Sequence, residues 1–191
     1  LPGAVTIARK PEGGQATTVA NPSMLILPNG DYLACISGTI EGGGTGLWKS
    51  VDKGETWPLL PDGFSLNRQC IFENQGSLYL MGGKTRIYRS SDNGASWTYS
   101  DFSGSYGYDA PSHMDVVNGR IWKAATVNIS GRTAPGFFSA PIGADLMKAS
   151  SWTPSAPGAT WGAFYGQYTL ANGQKADVKD ECEGTLLVTK E

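Results

Sequence analysis

The chain has 191 residues, enough for one sizeable hydrophobic core, and its formal net charge at pH 7 is only -2. With 17% charged residues, it lacks the basic surface of a protein that binds nucleic acid or anionic membranes. The 26 glycines and 11 prolines are typical of many short strands joined by tight turns, and no apolar run approaches the roughly 18 residues of a membrane span.

The first structural unit is predicted from residue 21 onward. Residues 22–28 have the pattern of a buried inner strand, Asn29-Gly30 is a strong hairpin signal, and residues 31–36 form the returning strand. A glycine-rich loop at 41–46, which lacks the ending of a phosphate-binding loop, leads to a third strand. A fourth strand is expected near residues 57–60. Together they predict one four-stranded antiparallel sheet.

Two further units repeat this order of strands and turns. Strands are predicted at 69–72, 78–81, 86–89 and 97–99 in the second unit, and at 113–117, 121–124 and 137–139, with a long hairpin at 144–152, in the third. The first-hairpin glycines are Gly30, Gly76 and Gly119, a period of 46 and then 43 residues that is typical of propeller blades. A longer linker follows, and residues 184–188 have the pattern of another first strand.

Two turns, at residues 50–57 and 90–97, share the pattern S-x-D-x-G-x-[ST]-W. The glycine supplies a positive φ, the aspartate can accept hydrogen bonds from backbone N–H groups further along the turn, and the tryptophan begins the returning strand. These residues are therefore predicted to be structural rather than catalytic: Ser50, Asp52, Gly54, Thr56, Trp57, Ser90, Asp92, Gly94, Ser96 and Trp97.

Both turns resemble the Asp box, or BNR repeat, of sialidases and related β-propellers. From about residue 20 onward, segments such as Asn21-Pro22-Ser23 and Tyr108-Asp109-Ala110-Pro111 also look like bacterial exo-sialidase-like proteins. The resemblance implies an all-β, sialidase-like β-propeller with four-stranded antiparallel blades, present as a partial propeller. Its blades are expected at about 21–61, 68–101 and 111–155, and a fourth is expected to start at 183–191.

Propellers close with about four to eight blades. We therefore expect the remaining blades to belong to a longer chain, and closure by oligomerisation is the alternative.

Alternating strand direction gives the predicted sheets two ends. The Asp-box turns lie at one end, whereas the residues before each inner strand and the second-to-third loops lie at the other, which is the candidate site. The residues selected at this second end are Asn21, Ser23, Arg68, Gln69, Tyr108, Asp109, His113, Glu181 and Glu183, with Glu41, Lys84, Asn128 and Arg132 from loops.

The resemblance implies a tyrosine nucleophile activated by a glutamate, an aspartate acid/base and three arginines that bind the sugar carboxylate, an exception to the paired-carboxylate scheme. Glu183 matches the activating glutamate in position, and Asp109 is the candidate acid/base. A carboxylate beside a phenol can take its proton. The candidate substrate-binding residues are Arg68, Tyr108, His113, Arg132 and Asn21.

Each candidate also has a structural alternative. Glu183 could be a solvated rim carboxylate, Asp109 a turn residue before proline, and His113 a packing residue. Ala20 stands where the first arginine of the family is expected, and an alanine does not replace a bidentate guanidinium.

These patterns predict a glycoside hydrolase that removes a terminal sugar, with sialic acid as one candidate, from a glycan partner and without a metal or other cofactor. The alternative is a non-catalytic propeller that binds carbohydrate or protein, which Ala20 favours. A secreted or periplasmic location is expected.

Cys35, Cys70 and Cys182 are far apart and have no nearby histidine, which argues against a zinc site. Buried thiols are expected, and a single disulfide is the alternative.

Overall fold

The structure is a computed structural model that describes residues 4–8, 19–38, 46–61, 64, 67–83, 86–101, 114–129, 132–154, 167–169 and 175–177. Apart from one 3-10 turn, η1 (Ala149–Ser151), the regular elements in these ranges are all strands, which confirms the all-β prediction. The strands are β1 (Val19–Ile26), β2 (Tyr32–Gly38), β3 (Gly46–Ser50), β4 (Asn67–Asn74), β5 (Ser77–Gly83), β6 (Arg86–Ser90), β7 (Thr98–Asp101), β8 (Met114–Val117), β9 (Arg120–Ile129), β10 (Arg132–Pro141), β11 (Thr153–Pro154), β12 (Gln167–Thr169) and β13 (Lys175–Asp177).

The described strands form antiparallel sheets in which neighbours along the chain are neighbours in space. Sheet 1 has the order β1-β2-β3, sheet 2 the order β4-β5-β6-β7, and sheet 3 the order β8-β9-β10-β11. In sheet 1 an irregular segment takes the place of the fourth strand: Lys49 N donates to Pro58 O (3.1 Å) and Leu60 N donates to Leu47 O (2.8 Å). Because Pro58 has no N–H to donate, the ladder stays short.

Consecutive sheets pack face to face through apolar side chains. The core between sheets 1 and 2 contains Leu33, Cys35 and Leu47 on one side and Ile71, Leu78, Leu80 and Tyr88 on the other. The core between sheets 2 and 3 contains Phe72, Tyr79, Met81 and Ile87, which pack with Ile121, Phe138, Ala140, Leu146 and Trp152. Four-stranded meanders stacked in this way are successive blades, and the prediction of a partial β-propeller is confirmed.

The third sheet extends further than the sequence pattern indicated. Asn128 and Arg132 were predicted to lie in a loop, and this was wrong: Asn128 pairs with Thr133 and Arg132 pairs with Ile129 in a hairpin of two ten-residue strands. The β-branched residues near the hairpin tip favour this extended pairing. Likewise, β12 and β13 pair with each other inside the segment expected to be a linker.

Two of the three cysteines lie in the described ranges. Cys35 and Cys70 are buried and form no disulfide, as expected, whereas Cys182 lies outside the described residues. Burial raises the pKa of the Cys35 thiol to about 12, and the neighbouring Cys70 adds to the shift. The Cys35 thiol is therefore protonated and unreactive at neutral pH.

Candidate functional site

The strand directions separate two ends of the stacked sheets. At one, which we call the hairpin end, lie the first hairpins at residues 28–30, 75–76 and 118–119 and the two Asp turns at 51–56 and 91–96. At the opposite end, the site end, the inner strands β1, β4 and β8 begin. This is the separation that the sequence predicted for the candidate site.

The first Asp turn is held by hydrogen bonds among its own residues. Ser50 Oγ donates to Asp52 Oδ1 (2.7 Å) and accepts from Gly54 N (2.7 Å). Thr56 donates to both carboxylate oxygens, through its N–H to Oδ1 (2.9 Å) and through its hydroxyl to Oδ2. Trp57 Nε1 donates to Gly54 O (2.9 Å), which fixes the indole over the turn. Every polar group that the pattern specifies is therefore used inside the turn.

The second Asp turn repeats this network. Ser90 Oγ donates to Asp92 Oδ1 (2.7 Å) and accepts from Gly94 N (2.8 Å). Ser96 donates to Asp92 through its N–H (2.9 Å) and its hydroxyl (2.6 Å), and Trp97 Nε1 donates to Gly94 O (3.2 Å).

Hydrogen bonds to the ionised carboxylate lower the pKa of both aspartates. The side-chain hydroxyl and then the N–H of Thr56 lower the pKa of Asp52 to about 2, and those of Ser96 do the same for Asp92. A carboxyl group with so low a pKa is a poor proton donor near neutral pH. The geometry and the pKa values both indicate a structural role.

The hairpin end is also tied from sheet to sheet. Lys49 Nζ forms an ion pair with Asp31 Oδ2 (3.0 Å) and donates to Asn93 O in the Asp turn of sheet 2 (3.1 Å). Asn74 Nδ2 donates to Ile142 O of sheet 3 (3.0 Å). Polar side chains at this end therefore hold the blades in register.

The site end is marked by two β-bulges in equivalent positions. In β1, Ala20 pairs with Ser37 and Ser23 pairs with Cys35, so β1 has one extra residue between these pairs. In β4, Asn67 pairs with Gly83 and Cys70 pairs with Met81, which leaves the same one-residue excess. As a result, Asn21 and Arg68 occupy the same position in two successive blades. Bulges redirect side chains and are frequent beside active sites.

A cavity of about 490 Å³ lies between the inner strands. Its lining comprises Pro22, Ser23, Met24 and Leu25 of β1, Cys70, Ile71, Phe72 and Glu73 of β4, Met114 and Val116 of β8, and Ile121. Ser23 Oγ accepts a hydrogen bond from Ile71 N (3.1 Å), which joins the first two inner strands. Most of the lining residues are thus apolar in type, and the cavity adjoins both bulges.

The remaining predicted site residues divide into two groups. Asn21, Arg68 and Arg132 lie in described strands, the first two in the bulges and the third beside the tip of the β9–β10 hairpin. The others lie outside the described residues, so their arrangement stays a prediction: Glu41, Lys84, Tyr108, Asp109, His113, Glu181 and Glu183.

A fully buried lysine was missed by the sequence analysis. Lys123 is 0% exposed and pairs with Met114 and Phe138. Lys123 lies four residues after the turn at 118–119, and Leu80 lies four residues after the turn at 75–76, so Lys123 corresponds in sheet 3 to Leu80 of sheet 2. Alignment of the repeats could have found it, because a charge replaces an apolar core residue there.

Neither a candidate metal site nor a membrane-spanning helix is found in the described ranges. They contain no group of three or more histidine, cysteine, aspartate or glutamate side chains that could hold a metal ion. In the same ranges, no helix has the length and apolar character needed to cross a bilayer.

The fold has counterparts among solved structures. The chain is similar to YjhT with 13% identity and a TM-score of 0.53, over 74% of this chain and 53% of that one. It is also similar to Trypanosoma rangeli sialidase in complex with the inhibitor DANA (19% identity, TM-score 0.45, 60% of this chain and 22% of that one). A complex of the same sialidase with 2,3-difluorosialic acid, a covalent intermediate, has 21% identity and a TM-score of 0.34, over 62% and 20% of the two chains.

The chain spans about half the length of YjhT and about a fifth of the sialidase chains. The likeness to YjhT is one of fold alone. No protein-family model and no curated protein matches the sequence.

Proposed function

We propose that the chain is part of a sialidase-like glycoside hydrolase, an Asp-box β-propeller that removes a terminal sugar from a glycan at its site end. The observation that carries the proposal is the pair of equivalent bulges, which put Asn21 and Arg68 at one position in successive blades, next to strand residues that line the cavity between the inner strands. The hairpin end is a poorer candidate for a sugar site, because the polar groups of its Asp turns are hydrogen-bonded to one another within each turn. This contrast supports placing the site at the opposite end.

In this proposal the two Asp turns are BNR repeats with a structural role. The sequence pattern and the repeated network of hydrogen bonds both support this assignment. The turns fix the course of the chain after the third strand in sheets 1 and 2.

The chemistry assigned to the site end follows from the residue types. Asp109 would protonate the leaving group, and Glu183 would take the proton of a phenol nucleophile. A phenol suits an anionic sugar because a carboxylate nucleophile would repel the substrate's own charge. Arg68 and Arg132 would attract the sugar carboxylate. Asn21, Tyr108 and His113 would contact sugar hydroxyls.

The partner in this proposal is a glycan outside the cell or in the periplasm. Such a site needs no metal, since the charge that develops on the sugar ring is stabilised by carboxylate and phenolate groups.

A second candidate is a propeller that binds a glycan without cleaving it. Ala20 favours it, because this residue precedes Asn21 in the β1 bulge, where the resemblance leads us to expect an arginine. A site with one clamp arginine fewer would retain contacts to hydroxyls but bind a carboxylate less tightly.

The test is release of a fluorescent aglycone from an α-sialoside by the intact protein and by Glu183→Gln. We expect the variant to lose about 100-fold or more in kcat, the usual scale for a general base. Glu55→Gln is the matched control, because Glu55 is an exposed glutamate in the first Asp turn at the other end.

Unchanged turnover in Glu183→Gln would remove that residue from the mechanism. Saturable sialoside binding without turnover would support the binding propeller instead. Neither binding nor turnover, with sialosides or other terminal sugars, would refute the glycan-site proposal.

A further inference from the structure

The outer face of sheet 1, which is the face turned away from sheet 2, carries an apolar stripe along β1. The stripe consists of Val19, Met24 and Ile26, which are 40%, 58% and 59% exposed. Their partners in β2 are Gly38, Ala34 and Tyr32. Paired residues point to the same side of a sheet, so the three side chains share one face. Eight large apolar residues are exposed in the described ranges, and three of them form this stripe.

The rest of this face is covered. Ile36 and Trp48, on the same side of β2 and β3, are 8% and 5% exposed. Ile7 and Ala8 of the N-terminal segment pack against them, together with Trp57. Because the β1 residues stay exposed, this cover ends short of the stripe.

Sheet 2 shows how the equivalent part of a face is buried. Ile71 of β4 has the position of Met24, because it pairs with Leu80 as Met24 pairs with Ala34, in the same register relative to the Asp turn. Ile71 is only 6% exposed, since it packs in the core between sheets 1 and 2. The stripe thus has the position and the composition of a surface on which another sheet packs.

We propose that a second copy of this chain covers the stripe, through a two-fold contact between the outer faces of the two copies of sheet 1. A two-fold contact places each surface against itself, so like charges would meet on a charged surface. Every described strand residue on this face is uncharged. The Asp turn, whose Gly54 lies beside the ring of Tyr32, adds Lys53 and Glu55 as a polar rim. An apolar centre with a polar rim is the usual anatomy of an interface.

The outer face of sheet 3 is a poorer partner for the stripe. Ile121 and Phe138 pack toward sheet 2, so Trp122 and its partner Asp115 lie on the outer side of sheet 3. Head-to-tail stacking of copies would enclose the Asp115 carboxylate among apolar side chains, where it would lose its hydration. Such stacking also leaves a free face at each end and continues, whereas a two-fold contact closes as a dimer.

The test is the mass of the chain in solution, measured by sedimentation equilibrium from about 1 to about 100 µM. We expect a mass twice the 20.2 kDa of one chain. Ile26→Lys places a charge inside the contact and is expected to raise the Kd of the dimer about 100-fold or more.

Val116→Lys is the matched control for Ile26→Lys. Val116 has the corresponding position in β8, is 55% exposed and belongs to sheet 3, so its replacement should leave the dimer unchanged. Both positions are exposed, and urea unfolding of each monomer should differ from the wild-type protein by no more than about 0.5 kcal/mol.

Met24→Cys tests the position of the two-fold axis, because Met24 lies within the stripe. With the axis near this residue, the two introduced thiols meet, and mild oxidation should give a disulfide-linked dimer on a non-reducing gel. We expect no such dimer from Val116→Cys or from the wild-type protein, in which Cys35 and Cys70 are buried.

Each other result would overturn the proposal. If the wild-type chain stays monomeric at about 100 µM, peroxide labelling identifies what replaces the dimer. Resistance of Met24 to oxidation would then mean that another segment of its own chain covers the stripe, and rapid oxidation would mean that the stripe is open. A dimer that survives Ile26→Lys, or that Val116→Lys weakens equally, has its contact elsewhere. Assemblies larger than a dimer would indicate head-to-tail stacking. The proposed glycan site is independent of all these outcomes.

Discussion

Ser90→Ala tests whether the Asp turn is held by its buried hydroxyl. Ser90 is 1% exposed, and its Oγ accepts from Gly94 N at 2.8 Å and donates to Asp92 Oδ1 at 2.7 Å. The substitution leaves the N–H of Gly94 buried without a partner and removes one donor from a carboxylate. A buried unpaired group costs about 1–3 kcal/mol, and a hydrogen bond to a charged group contributes about 1.5–3 kcal/mol. Since these two contributions overlap, we expect the free energy of unfolding to fall by about 2–3 kcal/mol.

The assay is urea unfolding at neutral pH, followed by tryptophan fluorescence, for which Trp97 is a local reporter. With a slope of about 2 kcal/mol per M of urea, the midpoint should fall by about 1 M or more. Ser91→Ala is the matched control, because it removes the same hydroxyl from the adjacent exposed position and should change stability by no more than about 0.5 kcal/mol. Equal shifts in the two variants would refute this account of the turn.

Three further predictions follow from the same structure. Asp52 and Asp92 have a pKa of about 2 instead of 3.8, so the stability they contribute is present above pH 3.8 and is lost as pH falls toward 2. In the double variant Asp52→Asn, Asp92→Asn, the urea midpoint should therefore fall less steeply than in the wild-type protein as the pH is lowered. An equally steep dependence of the midpoint on pH would contradict this. Lys53 has a φ of 60°, and Asn93 at the same position of the second turn has a φ of 56°. Because asparagine tolerates a positive φ better than lysine, Lys53→Asn should raise the free energy of unfolding by about 0.5 kcal/mol in the same assay. A lower urea midpoint would argue against backbone strain at Lys53. Cys35 and Cys70 should resist a thiol reagent until the protein unfolds, and rapid labelling of either in the native state, detected by mass spectrometry, would show that they are accessible.

The Asp turns could be predicted residue by residue because their interactions are local. Each hydrogen bond joins residues no more than four apart, as between Ser50 and Gly54 or Asp52 and Thr56. Eight residues of sequence therefore contain all the donors and acceptors that decide the geometry. The first hairpins were predictable for a similar reason, since Gly76 and Gly119 have the positive φ that two-residue turns need.

The strands of sheet 3 extend further than predicted, although part of the signal was present in the sequence. Residues 125–129 alternate apolar and polar side chains, and they pair with residues 132–136 across the hairpin. The prediction ended the strand at residue 124 and placed Asn128 in a loop, whereas pairing between the two strands stabilises the whole segment. The same reasoning applies to the short β12–β13 pair in the expected linker.

The sequence predicted which end of the sheets holds the candidate site, but it did not predict how the residues of the site are arranged. Strand alternation assigned Asn21, Arg68 and Gln69 to one end from the sequence. Their equivalence depends on the register of each inner strand against its neighbour, which involves residues up to 17 positions away, such as Ser37 for Ala20 and Gly83 for Asn67. The burial of Gln69 depends on packing between sheets as well. Neither property is visible in a local window.

The two ends therefore obey different physical rules, and this difference can be measured. At the hairpin end, Ser90 makes the bonds that hold its turn, so its removal must cost stability. At the site end, the Gln69 amide has no hydrogen-bond partner among the described residues, so its replacement by an apolar side chain should cost no stability. Proteins tolerate such local inconsistency mainly where function requires it. A loss of stability in Ser90→Ala and none in Gln69→Met would together distinguish the structural hairpin end from the candidate site end.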